Sequence, residues 1–143
     1  TCAQITGRLE PGMSGRAFCE AFIDIMVDHP ALLILRAHLA PTIERNVALD
    51  SLVSTKTRLF EHGAATSEKL DEVMELEQGC GRRMLMALIN LTSGAAQADS
   101  LPHIDADTLP DELADFMHTA SFRNIVLSGA ELIFRGATGR PFD

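Results

Sequence analysis

The chain has 143 residues, 46% hydrophobic and 22% charged, a globular composition with enough apolar side chains to fill one domain core. Its formal net charge is −8, and its Lys and Arg are scattered singly or as the pair Arg82-Arg83. That excludes a direct nucleic-acid surface, which needs clustered cations to displace phosphate counterions.

No apolar run approaches the roughly 18–20 residues that a membrane span requires; that of residues 31–35, for one, ends at Arg36. Residues 1–10 lack the basic start and apolar centre of a secretory signal, so a cytoplasmic location is expected. Cys2, Cys19 and Cys80 lie far apart with no CxxC pair, and are read as free thiols rather than a zinc site or disulfide framework.

Apolar residues recur at helical spacing and period-two alternation is missing, which predicts an all-α fold. Ser14 is placed to cap a helix carrying Phe18, Phe22, Ile25 and Met26 on one face, ending near Asp28 ahead of Pro30. Residues 30–45 are apolar on nearly every side (Leu32, Leu33, Ile34, Leu35, Leu39, Ile43), as in a helix at a domain's centre, with a kink predicted at Pro41. A helix over 49–62 is expected to turn Leu49, Leu52, Val53, Leu59 and Phe60 inward and to stop at Gly63. A short acidic surface helix over 67–75 should follow, its apolar face limited to Leu70, Val73 and Met74.

The helix over 78–98 carries two adjacent stripes, Met84, Leu88, Leu91, Ala95 and Leu85, Ile89, Thr92, Ala96. Thr108 is expected to begin the next helix, with Asp111 at the capping-box position. A last helix over 121–135 carries Phe122, Ile125, Val126, Leu132 and Ile133, with Gly136 as its expected C-cap. The apolar arcs of the two long C-terminal helices are wider than one buried face needs. Each holds small residues, Ser93-Gly94-Ala95-Ala96 and Ser128-Gly129-Ala130, where helix axes can approach closely. Two readings follow: tight packing within one chain, or a homodimer whose four-helix bundle uses Met86, Asn90, Ser93, Ala95, Phe122, Val126, Gly129 and Ile133.

The segment Pro30-Ala-Leu-Leu-Ile-Leu-Arg-Ala-His-Leu-Ala-Pro-Thr-Ile-Glu-Arg-Asn46 resembles the central helix of TetR-family regulatory domains, a Pro-led apolar helix ending in Glu-Arg-Asn. Residues 47–60 with Lys56, residues 81–96 with Gly94, and the terminal Phe122, Ile125-Val126, Leu132-Ile133 and Gly136 are similar to the family's later helices. The resemblance spans residues 16–136. It implies an antiparallel helical bundle, with residues 1–12 as the end of a linker helix or a disordered lead-in, 13–137 as the ligand-binding and dimerisation domain, and 138–143 as a tail. It also implies a homodimeric regulator, usually a repressor, that binds a small-molecule effector. Such a regulator would meet operator DNA only through an N-terminal helix-turn-helix that this sequence lacks.

An effector pocket is expected to be lined by Phe22, Met26, Leu35, His38, Leu39, Leu52, Leu59, Met84 and Leu88, side chains that serve equally well as plain core. Glu44 and Asn46 are read as structural, pinning the helix end, and Arg36 as reaching solvent or a salt bridge. The five histidines are dispersed, no Glu-x-x-His repeat occurs, and HExxH, GxSxG and P-loop patterns are missing. No metal, no other cofactor and no catalytic residue are therefore expected. The alternative to a regulator domain is a free-standing helical interaction or lipid-carrier protein, and a small bundle enzyme stands third.

Overall fold

The computed structural model describes residues 2–29, 31, 47–99 and 109–143. Among them are six helices and no strand: α1 (Cys2–Gly7), α2 (Gly15–Val27), α3 (Leu49–Val73), α4 (Cys80–Asp99), α5 (Asp111–Thr119) and α6 (Phe122–Thr138). The all-α expectation holds. The expected central helix, with Pro41, lies outside the described residues, as does Thr108.

The α2 boundaries follow from local chemistry. Ser14 Oγ accepts from the Ala17 amide at 3.2 Å, satisfying one of the N-terminal donors the helix leaves open. Phe18, Cys19, Phe22, Ile23, Ile25 and Met26 are buried on its inner side.

Two glycine assignments are corrected. Gly63 does not end a helix, since α3 runs unbroken from Leu49 to Val73. A glycine terminates a helix by adopting positive φ, and among the described glycines only Gly12, Gly79 and Gly139 do so. The surface helix expected over 67–75 is instead the anchored end of α3, with Thr66, Ser67, Leu70 and Val73 buried. That packing outweighs the roughly 1 kcal/mol that a mid-helix glycine costs. At the other end of the chain, α6 runs past Gly136 and stops at Gly139, whose φ is 66° and whose amide donates to Arg135 O at 2.9 Å.

The core joins α1, α2, the second half of α3, α4 and α6, and the most extensive helix pair is α4 with α6. Three glycines set how closely these elements approach. A Cβ on Gly15 would sit 2.8 Å from the Phe134 ring, and one on Gly129 would sit 2.6 Å from Leu91 Cδ2. A Cβ on Gly81 would meet the Ser67 carbonyl oxygen at 2.7 Å, so the first turn of α4 lies directly on α3.

Both chain ends pack on this core, the first as the helix α1. Ile5 and Leu9 are buried, and Thr6 Oγ1 lies 3.1 Å from Thr66 Oγ1 on α3. Phe142 is buried edge-on against Phe134, with ring centroids 5.9 Å apart, and its carbonyl accepts from the Arg16 amide at 2.7 Å. Arg140 donates to Met74 O at 2.6 Å, tying the last residues to the end of α3.

Candidate functional site

The expected pocket residues separate into three groups. Phe22, Met26, Met84 and Leu88 are buried together in the core cluster, at the inner faces of α2 and α4. Leu52 is half-buried and Leu59 exposed, both on the first half of α3 and outside that cluster. Leu35, His38 and Leu39 lie outside the described residues, as do Arg36, Glu44 and Asn46. The inward orientation expected for Leu49, Val53, Leu59 and Phe60 is corrected, because all four are exposed. Periodicity places them on one helical stripe, but it does not say how far along the helix a neighbour follows.

Among the described residues every buried side-chain polar atom has a hydrogen-bond partner. The core's buried polar side chains are Thr66, Ser67 and Thr92, which donate to His62 O at 2.9 Å, Gly63 O and Ile89 O at 3.0 Å, each within its own helix. Asp71 reaches across from α3 to accept from the Gly79 amide at 2.7 Å and from the Gly81 amide, capping α4 where its dipole favours a carboxylate. Burial pushes the Cys19 thiol up to about 12, with a smaller contribution from Glu20, so it is a neutral core side chain rather than a nucleophile. Among the described residues no group of His, Cys, Asp and Glu is arranged to hold a metal ion. No described helix is long and apolar enough to cross a membrane.

The residues expected at a dimer interface also divide. Val126 is 0% exposed, and Ala95 and Phe122 are buried, so within a single chain they have little or no surface left to give to a partner. Gly129 is matched to Leu91 of its own chain. For these four residues the close packing is intramolecular. Met86 and Asn90 are exposed, and Ser93 and Ile133 half-buried. The outward side of α6 adds Leu132, 74% exposed, with Ser128 and Gly136 exposed and Ile125 half-buried. These are spaced by three or four residues and therefore share a face. On α4 the same spacing aligns Met86, Asn90, Gly94 and Gln97, all exposed. Sequence reasoning missed Leu132 as a surface residue because its neighbour Ile133, one position on, gave the same apolar signal.

A helical core whose two most extensively packed helices each keep a partly apolar, exposed outer face among the described residues defines an all-α bundle domain. The match to a family model narrows that class: the Tetracyclin repressor-like, C-terminal domain matches residues 1–141, and the chain belongs to this family. No curated protein and no solved structure shows significant similarity to it.

Proposed function

We propose that the chain is the effector-sensing and homodimerisation domain of a TetR-like transcriptional regulator acting as a repressor. The family match over residues 1–141 carries this reading. Dimerisation is supported by the outer face of α4 and α6, where Met86, Asn90, Ser93, Ile125, Leu132 and Ile133 stand at helical spacing around the smaller Gly94, Ser128 and Gly136. Two such helices and their symmetry mates form a four-helix bundle.

The effector is small and mostly apolar. Phe22, Met26, Met84 and Leu88 in the core, with Leu52 and Leu59 on α3, are the described part of its proposed lining, and the buried hydroxyls of Thr66, Ser67 and Thr92 already hold backbone partners. An effector changes the spacing of two DNA-binding heads only through unequal affinity for two conformations of the dimer. Operator half-sites then read that spacing. With a net charge of −8 this domain leaves DNA contact to a basic helix-turn-helix elsewhere in the regulator, and the whole acts in the cytoplasm without catalysis.

The coding sequence directly upstream of Thr1 tests the reading. An open frame of roughly 45–60 codons with a basic helix-turn-helix pattern supports it. An in-frame stop next to a start at Thr1 overturns it in favour of a free-standing helical carrier or interaction protein.

A further inference from the structure

Residues 139–143 reach the ends of three helices. Gly139 turns the chain off α6 in a left-handed conformation, with a φ of 66°. Arg140 then donates to Met74 O at 2.6 Å and to Glu75 O at 3.5 Å, where the C-terminus of α3 leaves carbonyls open. Two positions on, Phe142 packs against Phe134, and its carbonyl accepts from the Arg16 amide at 2.7 Å. Ser14 Oγ takes the neighbouring amide of Ala17, so α2 starts on one cap of its own and one supplied by residue 142. Only Pro141, with its fixed φ, separates the two anchors, so neither is easily released without pulling on the other.

The turn that Arg140 braces is strained. Glu75 has a φ of 51° and is the only non-glycine with positive φ among the described residues. L side chains avoid this region, and a residue stays there where its surroundings hold it. Main-chain bonds from Glu75 to Glu72 O at 3.3 Å and from Leu76 to Asp71 O at 2.8 Å hold the turn together with Arg140.

We propose that residues 139–143 form a strap that docks and releases as one unit, fixing the start of α2 and the strained end of α3 together. On release the Arg16 amide passes to water and Glu75 relaxes to negative φ. Phe22 and Met26 lie on α2 and Leu132 on α6, so the strap is a two-state element in contact with the helix of the proposed effector lining and with that of the proposed dimer face. Its contacts lie within one chain, so it stands or falls separately from those two readings.

Amide hydrogen exchange, followed by NMR at low urea concentrations, tests the strap. The Arg16 and Leu76 amides are expected to exchange through one small opening with a shallow urea dependence, and the Leu88 amide in the middle of α4 only through global unfolding. Arg140→Met keeps the alkyl stem and removes the donors. It should speed exchange at both Arg16 and Leu76 by about tenfold, although residue 140 bonds to neither amide. Glu75→Gly relieves the strain of the docked turn and should slow exchange at Arg16 by about threefold, a gain that misfolding cannot produce. The strap is overturned if exchange at Arg16 ignores Arg140→Met, if it ignores Glu75→Gly, or if Arg16 and Leu88 share one urea slope.

Discussion

Gly81→Ala tests the contact between α3 and α4 at its tightest point. The added methyl would lie 2.7 Å from the Ser67 carbonyl oxygen, 2.9 Å from Asp71 Oδ1 and 3.1 Å from Leu70 Cβ. Two of these neighbours, a main-chain oxygen and a Cβ, cannot rotate away. Relief requires α4 to shift, and a shift stretches the bonds from the Gly79 and Gly81 amides to Asp71. Over-packing of this kind costs about 1–3 kcal/mol, and a weakened cap adds about 1 kcal/mol. Alanine's helical advantage returns at most about 1 kcal/mol. The net loss is about 2 kcal/mol, or about 8 °C in Tm for a chain of this size. Gly63→Ala is the matched control, since nothing lies within 4 Å of its added methyl and the site is helical, so it should gain up to about 1 kcal/mol. Urea unfolding followed at 222 nm, at equal protein concentrations, measures both. A Gly81→Ala protein as stable as the original would refute the close α3–α4 packing.

Phe142→Ala should cost about 3 kcal/mol, because a ring buried against Phe134 is lost from a segment that the sequence presents as a tail; an unchanged urea midpoint would show the tail to be unpacked. Val126→Ala should cost about 2 kcal/mol by leaving a cavity in the core of one chain. A lowered dimer affinity with unchanged chain stability would instead return Val126 to the interface. Alkylation by iodoacetamide, read by mass spectrometry, should modify Cys2 first and reach Cys19 and Cys80 only on unfolding, since those two thiols are buried. The folded Cys19 thiol stays protonated up to about 12, while the unfolded chain ionises near the ordinary thiol value of about 8.5. Stability from this residue is therefore intact below about 8.5 and falls as pH rises toward 12. Cys19→Val should flatten that alkaline decline.

Helix content, the α2 cap at Ser14 and the inward stripes of α4 are local signals, and the 3.6-residue period with a capping serine was enough to read them. What periodicity cannot carry is the extent of a partner. Leu59 and Leu70 give the same apolar signal on α3, yet one is exposed and the other fully buried. Glycine was ambiguous for a related reason. Gly63 and Gly136 continue helices, whereas Gly139 ends one, and the difference lies in φ, which tertiary packing decides. Gly129 lies at a close approach to Leu91 of the same chain, and sequence alone left open which helices were meeting there.

The measurement that tests the central claim most directly is sedimentation equilibrium of the wild-type chain beside Leu132→Arg, with Phe116→Arg as an exposed control on α5. The account predicts a wild-type mass of twice the 15.5 kDa chain, an unchanged Phe116→Arg dimer, and a folded Leu132→Arg monomer at micromolar concentration. A monomeric wild-type chain, or a Leu132→Arg dimer with an unaltered dissociation constant, would contradict it.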